Sequence, residues 1–175
     1  LLKLDLIGRK LVASLDIDSL SSYQLLGTAD QQSEVLLATS HSGELLVINP
    51  LTLQVMRSQS GFDSEIATVG AFTAADKIQV FFKNGQIYNF ADNSLTLEKT
   101  IITEDAAFTY AVDVNGDGLA EILSAQNWYS IKLISPLTEE VLWSKQSDLN
   151  IDALVLADVN QDGRLDGVYG DGQWG

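Results

Sequence analysis

Two short stretches concentrate oxygen-bearing side chains: "DVNGDG" at Asp113–Gly118 and "DVNQDG" at Asp158–Gly163. Extended to nine residues, they read D-V-N-G-D-G-L-A-E, closing at Glu121, and D-V-N-Q-D-G-R-L-D, closing at Asp166. Side-chain oxygens stand at positions 1, 3, 5 and 9 of each. Glycine at position 6 lets the backbone turn sharply enough for them to converge, and the carbonyl of position 7 falls into the remaining gap. A hard cation such as Ca²⁺ takes six to eight oxygens at about 2.3–2.6 Å, and this set supplies most of them. Asparagine at position 3 gives an oxygen without a charge, which limits repulsion among the carboxylates. Asp, Asn and Gly also favour turns on their own account. The same ligand spacing twice, one repeat apart, favours a metal loop over a plain acidic turn. An EF-hand would need a carboxylate at position 12, where Ser124 and Tyr169 stand, and flanking helices, where "FTYAV" and "EILSA" read as strands.

What holds these loops is a repeat. "INPLTLQVM" at Ile48–Met56 matches "ISPLTEEVL" at Ile134–Leu142, "NSLTLEK" at Asn93–Lys99 lies near the midpoint, and "IGRKLVAS" at Ile7–Ser14 is a fainter copy one period earlier. The period is about 43–45 residues, as for the two acidic loops. Within a period the apolar runs are short and bounded by turn residues: "SEVLLATS", "GELLVIN" and "LQVMRS", then "KIQVFFKN", "GQIYNF" and "TLEKTII". These are strand patterns, and "KNGQ" at Lys83–Gln86 predicts a tight hairpin turn of the Asn-Gly type. No stretch keeps helical spacing over three turns. Four strands per repeat predict an all-β fold, a β-propeller of four-stranded antiparallel blades.

The expected organisation is a single propeller domain or propeller segment over 1–175. It comprises a half-blade at 1–22, blades at 23–65, 66–107 and 108–151, and a half-blade at 152–175. The first half-blade supplies the last two strands of a blade and the final one the first two, about four blades in all. Such a chain is either a four-bladed ring closed by its own ends or an incomplete slice of a larger propeller. Unpaired edges on the half-blades predict self-association or pairing with further blades.

Composition limits the partners. With 24 acidic and 10 basic residues the formal charge is −14, the reverse of what nucleic-acid phosphate requires; an anionic membrane surface would repel the chain too. No apolar run is long enough to span a bilayer. Cysteine is absent, which excludes disulfides and thiolate chemistry. At 46% hydrophobic residues the chain has material for a core. It begins at Leu1, and is read as processed or as part of a longer chain.

"AVDVNGDGLAEILSA" and "LADVNQDGRLDGVYG" resemble the calcium-loop repeats of integrin-alpha-type propellers, the FG-GAP or VCBS repeats. In that family the loop joins the first two strands of a blade. The resemblance implies two Ca²⁺ sites: Asp113, Asn115, Asp117, the Leu119 carbonyl and Glu121, and Asp158, Asn160, Asp162, the Arg164 carbonyl and Asp166. The Phe-Gly and Gly-Ala-Pro signatures of the family are absent, and Glu121 replaces its usual Asp. The first two blades carry "TADQQSE" and "FTAADK" where a loop would be. There, and at "SPLTEEVLW", the chain is similar to pyrroloquinoline-quinone-type blades, with Glu139 at the place of their glycine.

The remaining polar residues form no catalytic set. His41, the one histidine, sits in the turn "TSHSGE" and is expected to be solvated. Trp128, Trp143 and Trp174 are expected to pack between blades. Glu139–Glu140 and Glu104–Asp105 read as solvated loop charges, and Asp171 as a turn acid. The expected function is a calcium-binding, non-catalytic scaffold for a protein or glycan ligand. Its expected place is extracellular, cell-surface or periplasmic, where calcium is millimolar. The alternative is part of a propeller enzyme, a quinone-dependent dehydrogenase or a calcium-dependent polysaccharide lyase.

Overall fold

The computed structural model describes residues 1–5, 8, 10–27, 34–101, 106–125 and 130–172. Trp128, Trp174, Glu104, Asp105 and nearly all of "TADQQSE" lie outside them. Every regular element among the described residues is a β-strand. β1 (Leu2–Asp5) and β2 (Lys10–Ser14) form an antiparallel hairpin. Three four-stranded sheets follow: β3 (Leu20–Gly27), β4 (Glu34–Ser40), β5 (Glu44–Ile48) and β6 (Val55–Ser60); β7 (Ile66–Gly70), β8 (Gln79–Phe82), β9 (Gln86–Ala91) and β10 (Ser94–Thr100); β11 (Phe108–Val112), β12 (Glu121–Ala125), β13 (Ser130–Ile134) and β14 (Val141–Gln146). A last hairpin pairs β15 (Asn150–Ala157) with β16 (Asp166–Gly172). Within each sheet the strands lie in chain order and every pairing is antiparallel.

Strand chemistry explains the layering. The middle strands β4 and β8 are covered on both faces, β8 along its whole length, so "EVLLATS" and "QVFF" read as continuous apolar runs rather than alternating ones. The fourth strands, "VMRSQS" and "VLWSKQ", lie exposed at the outer rim. Consecutive side chains on the middle strands serve opposite interfaces, because Cβ direction alternates. Phe82 and Tyr88 pack toward the first sheet with Leu37, Leu45 and Val47; Phe81 and Ile87 pack toward the third with Phe72, Ala120 and Ile122. Ile151 and Leu154 of β15 cover Leu123, Ala125 and Ile131, and residues of the first hairpin cover Leu46 and Ile48. Four apolar layers thus bind five sheets in chain order.

The innermost strands touch directly. Ser22 Oγ of β3 accepts the Ile66 N–H (2.8 Å), Thr68 Oγ1 of β7 accepts the Ala111 N–H (3.2 Å), and the Tyr110 hydroxyl of β11 donates to the Leu154 carbonyl (2.6 Å). These pairs are 44, 43 and 44 residues apart, so the sequence period is one sheet-to-sheet step. First strands meeting inside, fourth strands facing solvent and sheets stacked face to face make a β-propeller. Among the described residues, β1–β2 and β15–β16 remain separate two-stranded sheets and do not pair with each other.

Turns fix the registers, and one differs from the sequence expectation. At "KNGQ" the Gly85 N–H donates to the Phe82 carbonyl (2.9 Å) and Gly85 alone takes a positive φ, +86°. The connection is therefore three residues ending in a left-handed glycine, not a two-residue Asn-Gly turn. "SHSG" repeats it, with Gly43 at φ +78° donating to Ser40. The two-residue turn with both central φ positive is at Asp92 (52°) and Asn93 (57°). The repeated Pro-Leu-Thr turns also share a shape: Leu53 (φ 57°) donates to the Asn49 carbonyl, and Glu139 (φ 64°) to the Ser135 carbonyl, both at 2.8 Å.

Phe82 is 1% exposed and its ring lies 5.5 Å from Phe62 and 5.1 Å from Tyr88. Phe82→Ala should therefore lower stability by about 3–5 kcal/mol in urea unfolding. A loss below about 1 kcal/mol would mean that the first two sheets are not held by this layer.

Candidate metal centre

Both acidic loops lie where a blade's first strand returns as its second: residues 113–120 between β11 and β12, and residues 158–165 between β15 and β16. Their backbones follow one path. Position 4 is left-handed in each, Gly116 at φ 78° and Gln161 at φ 62°, and position 6 is Gly118 or Gly163 at φ 85°. Glutamine holding a conformation that suits glycine costs about 1 kcal/mol, so the turn is imposed by its hydrogen bonds rather than by residue preference.

Those bonds match except at one donor to position 1, which is position 4 in the first loop and position 5 in the second. In the first loop the Asp113 carboxylate accepts the N–H groups of Gly116 (2.7 Å) and Gly118 (2.9 Å), Asn115 Oδ1 accepts that of Asp117 (2.8 Å), and Asp117 Oδ1 accepts that of Leu119 (2.8 Å). In the second, Asp158 accepts from Asp162 (3.0 Å) and Gly163 (2.9 Å), Asn160 Oδ1 from Asp162 (2.9 Å), and Asp162 Oδ1 from Arg164 (2.9 Å). The position-9 carboxylates close each loop: Glu121 Oε2 accepts the Val114 N–H (3.1 Å) and Asp166 Oδ2 the Val159 N–H (3.0 Å). Asn115 Nδ2 donates to Asp117 Oδ2 at 3.0 Å and Asn160 Nδ2 to Asp162 Oδ2 at 3.1 Å. The structure thus places positions 1, 3, 5 and 9 on one loop and joins positions 3 and 5 by side-chain hydrogen bonds, and the backbone N–H of position 7 is held by position 5. Among the described residues no three or more His, Cys, Asp or Glu side chains gather in metal-ligating geometry; the carboxylates are turned toward backbone N–H groups. Each carboxylate oxygen has a second lone pair beyond such a bond.

Glu121 tests whether the loop fits a cation. It is 5% exposed; among the described residues its Oε1 meets only the Asn115 amide, at 3.5 Å, the outer limit of a hydrogen bond, while Oε2 accepts the Val114 N–H. A buried carboxylate with only neutral partners gains from any positive charge placed beside it. The donor set is all oxygen, which suits Ca²⁺.

The second sheet shows what the same slot does without an acidic loop. Gln79 opens β8 as Glu121 opens β12, and it is fully buried. Its Oε1 accepts the N–H groups of Phe72 (2.6 Å) and Thr73 (2.8 Å), and its Nε2 donates to Thr73 Oγ1, Asn89 Oδ1 and Glu98 Oε2. A neutral amide here is satisfied from within. Sequence reading missed Gln79; its signal was a lone polar residue inside the apolar run "KIQVFF".

Of the other candidates, His41 falls as expected and Trp143 and Glu139 do not. His41 is exposed in its turn. Trp143 lies mid-strand in β14 and is 50% exposed, so it does not pack between blades; among the described residues no sheet covers the outer strand. Glu139 is not a loosely solvated charge but pairs with Lys99 at 2.9 Å, whose ammonium also donates to the Pro136 and Leu137 carbonyls. Asp171 accepts the Ser147 hydroxyl at 2.7 Å.

No protein-family model matches the chain, and no curated protein matches it in sequence. Solved structures do match in fold. A crystal structure of BBS1N in complex with ARL6DN is similar over 91% of this chain and 50% of its own, with a TM-score of 0.58 and 13% identity. The crystal structure of Sqt1 from Saccharomyces cerevisiae is similar over 87% of this chain and 43% of its own, with a TM-score of 0.57 and 13% identity. The fold is that of the β-propellers. The chain spans about half the length of the structures it matches.

Hydrogen bonds from Gly118 first, then Gly116 and others, hold the Asp113 carboxyl below its ordinary range, outweighing slight desolvation. A carboxyl with a depressed folded-state pKa contributes stability above its unfolded pKa and loses it as pH falls through the folded one. Asp113 should therefore titrate below about 3.9 in carboxyl-resolved NMR of calcium-free protein, and the loop amides of Gly116 and Gly118 should lose protection at that midpoint. A midpoint at or above the ordinary value would contradict the loop geometry.

Proposed function

We propose that this chain is part of a calcium-binding β-propeller of the FG-GAP/VCBS kind, acting as a non-catalytic scaffold for a protein partner at the cell surface or outside the cell. The observation that carries the reading is Glu121, a buried carboxylate that closes an acidic loop and has only neutral partners among the described residues. Asp113, Asn115, Asp117, the Leu119 carbonyl and Glu121 would hold one ion; Asp158, Asn160, Asp162, the Arg164 carbonyl and Asp166 would hold the other. Bound Ca²⁺ supplies positive charge and no covalent chemistry. The loops themselves tie strand 1 to strand 2 of their blades, and like charges within them repel. Calcium-dependent folding suits a compartment with millimolar calcium better than the cytosol.

An open cleft of about 510 Å³ lies between the two loops, walled by Asp113, Asn115 and Gly116 on one side and Gly163, Arg164 and Leu165 on the other. Val114, Val159 and Leu165 stand exposed on the same loops. Apolar tips beside polar walls favour a protein partner over a glycan. BBS1N was crystallised with a protein, ARL6DN, which supports the partner class by analogy of fold alone.

Thermal unfolding in excess chelator against millimolar calcium tests the metal. At about 100 times Kd, each site should add roughly 2.7 kcal/mol by mass action, and magnesium should add far less because it gives up its waters reluctantly. The gain should vanish in Asp117→Ala with Asp162→Ala. Equal melting of the parent in both conditions would refute the calcium reading.

A further inference from the structure

Turns and loops divide by the end of the sheet at which they emerge. Because the strands run antiparallel in chain order, first-to-second and third-to-fourth turns leave at one end. Second-to-third turns and the links between sheets leave at the other. Both acidic loops lie at the first end, as do the two Pro-Leu-Thr turns. The exposed large apolar side chains outside strands follow the same division. Leu51, Leu137, Val114, Val159 and Leu165 stand at the acidic-loop end, 51% to 71% exposed. At the other end, among the described residues, Leu149 alone is of this kind, at 37%, and the turns and links present His41, Ser42, Asp63 and Asn84.

An apolar tip on a turn buries nothing within its own fold, and several on one surface mark an interaction site. Val114 and Leu165 both line the cleft of about 510 Å³ between the loops, which gives an incoming side chain a seat. Charge selects the partner. The two loops carry six carboxylates, three in each, and one base, Arg164. Two doubly charged cations would still leave them one charge negative. Asp76, Asp92 and Glu140 extend the same sign along this end, where Lys77 already pairs with Glu98 at 3.7 Å. The formal charge of −14 attracts a basic partner from a distance and repels an acidic one. Neighbouring blades pack against sheet faces and not against sheet ends, so this surface stays open however the ring is completed.

We propose that the acidic-loop end of the sheets is a docking face for a basic amphipathic segment of another protein. An apolar side chain of that segment seats between Val114 and Leu165, and its lysines or arginines lie over the surrounding carboxylates. A purely basic segment would leave the apolar tips wet, and a purely apolar one would leave the carboxylates without a partner of opposite charge. The inference rests on the reading of this chain as a scaffold for a protein partner, and it does not require calcium. Ions in the loops would weaken the attraction by removing negative charge, without abolishing it.

The probe is a short soluble peptide with leucines spaced among lysines, titrated into the ¹⁵N-labelled chain and located by amide shifts. Two control peptides carry serine for each leucine or glutamate for each lysine. Shifts should gather at Val114, Gly116, Val159 and Leu165 and leave Ser42 and Asn84 unmoved. Affinity should fall about tenfold for the serine peptide and for the Val114→Ser, Leu165→Ser variant, as expected for apolar contacts of this size, and the glutamate peptide should not bind. No binding of the lysine peptide, shifts centred at the other end, or equal affinity for the serine peptide would overturn the proposal. Should the variant fail to fold, the peptide series on the parent decides. Titrations in excess chelator and in millimolar calcium keep the two readings apart. Docking without any calcium effect on melting upholds this face and refutes the metal sites, whereas calcium stabilisation without docking refutes this face alone.

Discussion

Burial of one sheet face against the next is the interaction on which the rest depends. Each four-stranded sheet is apolar on both faces and has a solvated strand only at its rim, so no sheet is stable alone. The cost of leaving one such face wet is large: a single Phe or Leu fully removed from water is worth about 1.5–3 kcal/mol, and Phe72, Phe82, Leu37, Leu45, Ile48, Ile87 and Ile122 are all fully buried. Position along the chain thus becomes position around an arc. That is why contacts recur every 43–44 residues, and why both acidic loops emerge at the same corner of their blades.

Polar groups refine this stacking. Lys3 donates to the Leu51 carbonyl at 2.7 Å, Gln59 accepts the Leu95 N–H at 2.8 Å, and Lys99 grips the Pro136 and Leu137 carbonyls. In each case one sheet reaches the third-to-fourth-strand region of the next. Nearer the inside, the first residue of the second strand pins the preceding loop, by Gln79, Glu121 or Asp166. The neutral residue accompanies the loop poor in acids and the charged ones accompany the loops built of them. That correlation is what a structural cation would select.

Much of the architecture was legible in the sequence because strand, turn and repeat signals are local. The runs "GELLVIN" and "GQIYNF" became β5 and β9, and the two Pro-Leu-Thr segments adopted one turn. The acidic loops were legible for the same reason: their hydrogen bonds span at most seven residues. What failed to show was set by neighbours distant in sequence. The burial of Gln79 depends on Glu98 and Asn89, and the ion pair of Glu139 on Lys99. Positive φ at Leu53 and Glu139 has no residue signature, since closing the turn imposes it. Trp143 reads as a core aromatic until its outer strand is seen to lie exposed.

The most direct measurement is the number of ions each chain carries. Native mass spectrometry in millimolar calcium should show two Ca²⁺ per chain. One ion should remain in Glu121→Gln, whose side chain reproduces the neutral slot of Gln79 and keeps an acceptor for the Val114 N–H. A chain that carries no calcium under these conditions, or a variant that still carries two, would contradict the account.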